Sequence, residues 1–258
     1  MIRQAKSLAL ALTLVGSVLM TSGCATGSNP KDPFEPMNRS ISSFNDSLDE
    51  NVLKPVATGY RDTVPDLVQT GVRNVFNNFS DMWSTVNNGL QLKGRETAES
   101  LMRVVVNTVF GIYGIFDVAT AINLERHPED FGQTLGYWGV PSVPYVVLPV
   151  FGPSTLRDTG SFPVDSKGDL VRNYHEVPTR NSAMALRAVD KRSTLLQTGN
   201  LLEEASLDKY SFTRDAYLQY RQSQVFDGNP PEADDLPDPS ADLPNSAIAP
   251  NAPSAPAK

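Results

Sequence analysis

An all-α fold ending in a charged helical region is what this sequence predicts, and three observations predict it. Apolar residues recur at helical steps over 37–52 and again over 68–90. The second of these stretches has a polar face built almost wholly from uncharged amides and hydroxyls. Charge then divides the chain, with a charge-poor half at 67–156 and a charge-rich half after 157.

The elements follow in order. Met37, Ile41, Phe44, Leu48 and Val52 lie on one helical face; Pro36 can open that helix, and Pro55 ends or kinks it. Val68, Val72, Val75, Phe76, Phe79, Met82, Trp83, Val86 and Leu90 form a longer stripe. Opposite them stand Asn74, Asn77, Asn78, Ser80, Asp81, Asn87 and Asn88, which makes a strongly amphipathic helix. From Val104 to Phe116 there is no charge and the apolar residues keep to no single face, which predicts a helix buried all round, in protein or in lipid. That stretch is too short to cross a bilayer, which takes about 20 residues. Phe131–Leu156 carries no charge and holds Pro141, Pro144, Pro149 and Pro153 among its aromatic and branched residues. Such proline density forbids a membrane-spanning helix, so the segment must be covered by protein or lie at an interface, where Trp and Tyr are favoured. Within it Gly152-Pro153-Ser154-Thr155 reads as a turn that starts a helix with Ser154 as cap. Ala183–Phe226 reads as charged, water-facing helices broken near Gly199-Asn200 and Ser206.

The two ends belong to other classes. Arg3 and Lys6 precede an apolar run, Leu8–Met20, and then Thr21-Ser22-Gly23-Cys24. A positive region, a short apolar region and a small-residue cleavage site make residues 1–23 a secretory signal. The single Cys of the chain, placed directly after Ser-Gly, matches a lipobox, with Thr21 where Leu is usual. Cys24 is therefore the predicted lipidation site, and no stray thiol is left in an exported chain. Residues 24–33 read as a lipidated tether; without an Asp next to Cys24, outer-membrane residence is favoured over the inner membrane. Residues 228–258 hold eight prolines, no aromatic residue, and five acids against Lys258, which predicts a disordered tail. The folded unit is then 34–227. The net charge of −7 and the lack of a basic patch exclude nucleic acid as a partner.

No constellation supports an enzyme. His127 and His175 sit in separate polar loops, neither at helical spacing from another ligand, so neither a metal nor another cofactor is expected. A Gly-x-Ser-x-Gly nucleophile elbow is absent. Asp130-Phe131-Gly132 copies a kinase tripeptide without the glycine loop or catalytic loop that gives it meaning.

Runs of residues do resemble one family. Asp32-Pro33-Phe34-Glu35-Pro36-Met37-Asn38-Arg39, Phe44-Asn45-Asp46 and Leu53-Lys54-Pro55-Val56-Ala57 look like the start of the MlaA (VacJ) lipoproteins. Gly71-Val72-Arg73-Asn74, Phe76-Asn77-Asn78, Val86-Asn87-Asn88 and Phe116-Asp117-Val118-Ala119 continue the match. Its sharpest parts are Asp130-Phe131-Gly132-Gln133-Thr134-Leu135-Gly136, Leu148-Pro149 and Gly152-Pro153-Ser154-Thr155-Leu156-Arg157-Asp158, with Arg214-Asp215-Ala216-Tyr217-Leu218-Gln219 near the end. The resemblance implies amphipathic helices in a ring-like arrangement embedded in the inner leaflet of the outer membrane. It implies removal of mislocalised phospholipid from the outer leaflet, association with a trimeric porin, and hand-over to a soluble periplasmic lipid-carrier protein.

Under that reading neutral amides can replace the hydrogen bonds a head group loses on leaving water, which are worth about 2–7 kcal/mol per unpaired group. Asn74, Asn77, Asn78, Asn87 and Asn88 are the candidate lining of the lipid passage, and Gly111 and Gly114 the candidate hinge. Two other classes remain open. A structural or surface lipoprotein explains the anchor and tail; a periplasmic lipid hydrolase explains apolar contact but needs a nucleophile and a base.

Overall fold

The computed structural model describes residues 29–196 and 208–230. Helix α1 (Glu35–Leu48) runs through a wide π-helical turn (Asp49–Leu53) into α2 (Lys54–Thr63). Pro55 explains the wide turn, because its ring lacks an N–H and would strike the carbonyl of residue 51 in a regular helix. Next come α3 (Asp66–Leu90), α4 (Gly94–Val109), the short α5 (Val118–Ala121) and α6 (Phe131–Tyr137). A hairpin of β1 (Tyr145–Leu148) and β2 (Gly152–Thr155) follows, with Tyr145 opposite Thr155 and Leu148 opposite Gly152. The chain closes with α7 (Leu156–Gly168), α8 (Val177–Thr194) and α9 (Lys209–Val225). None of the described helices is long and apolar enough to cross a membrane.

The fold is thus mostly helical, with three local departures from the sequence expectations. Residues 152–155 form a strand, and Thr155 is the cap of α7: its Oγ1 accepts from the Asp158 N–H at 3.1 Å. Pairing with the branched residues of β1 supplies the backbone partners that a lone turn would lack. The helix expected over 104–116 ends at Val109. It is also not buried all round, since Phe110 and Tyr113 are 70% and 78% exposed. The breaks expected near Gly199-Asn200 and Ser206 lie outside the described residues, as do Cys24 and most of the acidic tail.

Burial is inverted relative to a water-soluble domain. Among the described residues, 23 buried side chains are polar or charged and 9 are hydrophobic. On α3 the buried positions are Gln69, Gly71, Asn78, Asp81, Ser84, Asn87 and Asn88, so the face that packs is the amide face. On α4 they are Ser100, Arg103, Val106 and Asn107, while Leu101, Met102, Val105 and Val109 are exposed. Trp138, Val143, Val150 and Phe151 of the proline-rich segment are exposed as well. The apolar nucleus is small: Tyr145, Val147 and Tyr210, with Ile41, Tyr217 and Leu218 against them.

Ion-pair hubs hold the elements together instead. Arg103, 2% exposed, pairs with Asp117 through two contacts of 3.0 Å and with Asp81, which Arg126 also reaches at 2.7 Å. Asp32 is fully buried and accepts from Tyr210 Oη at 2.6 Å and Asn38 Nδ2 at 2.8 Å. Arg221 clasps both Asp130 and Asp158. Each charge is paired and multiply hydrogen-bonded, the condition under which buried charge is tolerated.

Candidate functional site

Helix α3 organises three hollows that follow one another along its length. The first, about 510 Å³, lies by Leu67, Val68, Val72, Val75, Ile115 and Phe116 and is almost wholly apolar. The second, about 310 Å³, lies between α3 and α8 and is edged by Arg73, Ser80, Arg187, Asp190 and Lys191. The third, about 540 Å³, is mixed: Phe79, Trp83, Phe151 and Phe162 face it together with Asp158, Asp165 and Arg221. Phe76 borders the first and second, and Ser80, Arg187 and Lys191 border the second and third. From Leu67 to Trp83 the row extends about 24 Å at 1.5 Å per helical residue. Along it the lining grades from apolar, through cationic, to mixed.

The walls of the third hollow are fixed by polar contacts. Trp83 Nε1 and the Phe131 N–H both donate to Asp165 Oδ1 at 2.8 Å. Burial nevertheless pushes the Asp165 carboxyl above the ordinary carboxylate range. Burial acts the same way on Asp158, but hydrogen bonds and charge from Arg221 and Arg157 outweigh it and hold that carboxyl low. Asp130 caps α6 by accepting from the Gln133 N–H at 2.8 Å while gripping Arg221. Gly132 has no room for a side chain: a Cβ would stand 2.5 Å from Asp158 Oδ1 and 2.9 Å from Arg221 Nη2. The Asp-Phe-Gly run is therefore a cap, an ion-pair partner and a space for a guanidinium.

The five candidate asparagines separate. Asn74 borders the apolar hollow and donates to the Ile115 carbonyl at 2.9 Å; Asn77 borders the cationic one. Asn78, Asn87 and Asn88 are buried against protein. Asn78 donates to Thr108 at 3.0 Å, Asn87 accepts from Thr134 at 3.0 Å, and Asn88 donates to the Ser84 and His127 carbonyls. Their amides are spent on tying α3 to α4, to α6 and to the loop before it.

Gly111 and Gly114 sit in a tightly hydrogen-bonded loop after α4. Its N–H groups return to the helix end, Gly114 to the Asn107 carbonyl and Phe116 to that of Gly111, both at 2.9 Å. A Cβ at Gly111 would press on the carbonyls of Phe116 and Asn107, and Gly114, at φ 91°, packs on Asn78. Ile112 and Tyr113 hold left-handed backbone at φ 51° and 55°, at a cost of about 1–2 kcal/mol each for a residue with a Cβ. Both glycines meet a steric demand of this loop, which presents its apolar side chains outward.

One grouping escaped the spacing argument. Glu99, Glu125 and His127 lie together, with one potential ligand atom from each within 4.8 Å of the others. Glu125 and His127 are too close in sequence for a helical pattern, and Glu99 comes from another element, so only folding joins them. Glu99 is already engaged by Arg95 at 2.9 Å and by His127 at 2.6 Å. Arg187 and Lys191 also went unnoticed in the sequence; they lie one turn apart on α8, and that spacing was the available signal.

Comparison with known proteins places this architecture. The family model for the MlaA lipoprotein matches residues 30–224. The Escherichia coli protein named intermembrane phospholipid transport system lipoprotein MlaA is 33% identical over 225 residues, covering 82% of this chain and 86% of that protein. The Haemophilus influenzae protein of the same name is 32% identical over 239 residues, covering 88% and 95%. An uncharacterised Rickettsia bellii protein is 34% identical over 196 residues, covering 75% and 76%. A solved structure described as the structural basis for maintenance of bacterial outer membrane lipid asymmetry superposes with a TM-score of 0.67 at 34% identity, covering 77% of this chain and 99% of that one.

Proposed function

The chain belongs to the MlaA lipoprotein family, and from that membership we propose that it moves phospholipid between membranes and so maintains outer-membrane lipid asymmetry. The observation that carries the reading is the graded row of hollows on α3 beside outward-facing apolar residues. A phospholipid has both chemistries in one molecule. Its head group needs polar partners throughout the journey, because losing them costs about 2–7 kcal/mol per group. Its chains need apolar surface. The inverted burial supports the same picture, since exposed apolar faces of this extent mark membrane or protein contact.

In this reading Cys24 carries the lipid anchor in the outer membrane, and the 34–227 domain lies in the inner leaflet as a ring-like set of helices facing the periplasm. The exposed residues of α4 and of the loop after it contact lipid or a trimeric porin. Lipid that has strayed to the outer leaflet enters and passes inward to a soluble periplasmic carrier protein; no bond is broken. Asn74 and Asn77 are the amides left to line the way, and the 110–117 loop, turning on Gly111 and Gly114, gates it.

The test is deletion and complementation scored by phospholipid at the cell surface. Wild type should restore asymmetry; Cys24→Ala should accumulate as precursor or as a soluble form and fail to restore it. Unchanged surface phospholipid on deletion would favour the structural or surface lipoprotein. Fatty acid released in proportion to lipid loss would favour the hydrolase.

A further inference from the structure

The middle hollow has a chemistry that passage alone does not require. It lies between α3 and α8, where Arg73, Arg187 and Lys191 meet a single carboxylate, Asp190. Asp190 is buried and is approached by Arg73 Nε at 3.6 Å and by Tyr60 Oη at 3.4 Å. Arg187 donates from Nη1 to Asp169 at 2.8 Å and from Nη2 to Ser80 Oγ at 3.2 Å. Lys191 is exposed, its ammonium has no hydrogen-bond or ion-pair partner among the described residues, and it borders both the middle and the mixed hollow. Of the three cations, Asp190 offsets one and Asp169 partly offsets another. The hollow is left net positive, with its three cations open to solvent and so accessible to an anion.

We propose that Arg73, Arg187 and Lys191 form a binding station for the phosphate of a phosphodiester head group. The inference rests on the transport reading and specifies a step within it. The neighbouring hollow decides between a lipid phosphate and a free one. It shares Phe76 with the station and is apolar along Leu67, Val68, Val72 and Val75. An anion continuous with an acyl chain fills both spaces; inorganic phosphate fills one. The lone ammonium suits a way station, since a point charge on a flexible stem releases an anion more readily than a fixed pair of forks does.

The experiment uses the full chain in amphipol, titrated with dihexanoyl phosphatidylglycerol, inorganic phosphate and neutral dihexanoylglycerol. Lys191→Gln removes the charge without orphaning a protein partner. It should weaken phosphatidylglycerol binding about tenfold, the worth of one charge-assisted hydrogen bond. Lys167→Gln, a cation on α7 outside the station, should leave binding unchanged. Wild type should bind phosphatidylglycerol more tightly than phosphate, and Lys191→Gln should weaken both. Equal binding by wild type and Lys191→Gln overturns the station, as does neutral dihexanoylglycerol binding as tightly as phosphatidylglycerol. Inorganic phosphate binding as tightly as the lipid overturns the lipid assignment. Surface phospholipid in complemented cells separates the two levels: if wild type does not restore asymmetry, the transport reading falls; if it does and the titrations are flat, only the station falls.

Discussion

Arg221→Met tests whether this protein is held by polar hubs and not by an apolar core. The Arg221 side chain is 8% exposed and makes four hydrogen bonds to two carboxylates: Nη1 and Nη2 to Asp130 at 2.8 and 3.0 Å, Nε and Nη2 to Asp158 at 2.9 and 3.0 Å. Met fills similar volume and carries no donor. Asp158 keeps Arg157 at 2.9 Å, but Asp130 loses its ion-pair partner. Breaking a buried pair from one side costs about 3–5 kcal/mol when the stranded charge is buried; the Asp130 side chain is 38% exposed, so water offsets part of it and about 2–3 kcal/mol is expected. For a folded unit of this size each kcal/mol moves the melting temperature by about 2–4 °C, so the variant should melt about 4–12 °C lower. The assay is thermal unfolding followed by circular dichroism in detergent. Adding Asp130→Asn to Arg221→Met should recover part of the loss, because a neutral amide leaves no stranded charge and can still cap α6. A loss below about 1 kcal/mol, within the range of exposed pairs, would refute the hub argument. So would a double variant that loses the full sum of the single effects.

Three further outcomes follow from the same geometry. Gly111→Val should destabilise by more than about 2 kcal/mol, because its Cβ has only backbone to displace, whereas Gly114→Ala should cost at least about 1–2 kcal/mol, from its left-handed backbone and from a Cβ 2.8 Å from that of buried Asn78; thermal melts measure both, and a stable Gly114→Ala with altered surface phospholipid would favour the hinge. Replacing Leu101, Val105 and Val109 together by Ser should leave the detergent melt within about 1.5 kcal/mol, at about 0.5 kcal/mol for each exposed position, while weakening binding to vesicles; a loss well beyond that would place these residues in a core. Acid should unfold the protein by way of Asp117 and Asp158. Burial works to raise both, but Thr120, Asn107 and Arg103 hold Asp117 low, and Arg221 and Arg157 hold Asp158 low. A lowered carboxyl stabilises fully above its unfolded pKa, about 3.9, and that stability is lost as pH falls through the lower folded value. Asp165 and Glu129, raised mainly by burial, act oppositely, favouring the fold as pH falls through their raised values. The melt should therefore change little down to about pH 5 and fall steeply below about pH 4; a melt that falls evenly from pH 7 would contradict this balance.

Much was legible in the residues. Helical spacing located α1 and α3, because periodicity needs only local geometry. The quoted motifs fall on the polar core, where Asn38, Asp130 and Asp158 are hydrogen-bond or ion-pair partners and Gly132 leaves the space for a guanidinium. What spacing could not supply was direction. An amphipathic helix has two faces, and its pattern is the same whether water or protein meets the polar one. On α3 the amides turned out to be the packed face, which spent Asn78, Asn87 and Asn88 on neighbouring elements and left Asn74 and Asn77 at the hollows. The β1–β2 hairpin depended on a partner strand, so Ser154 read alone looked like a cap.

The sequence by itself settled the mostly helical class, the positions of α1 and α3 and the family, since each is written in local pattern and contiguous motif. The tertiary structure alone decided which face is inside, which charges are neutralised, and that Arg73 of α3 meets Arg187 and Lys191 of α8 across one hollow. Those outcomes depend on distances between residues remote in the chain, and no local periodicity encodes such distances.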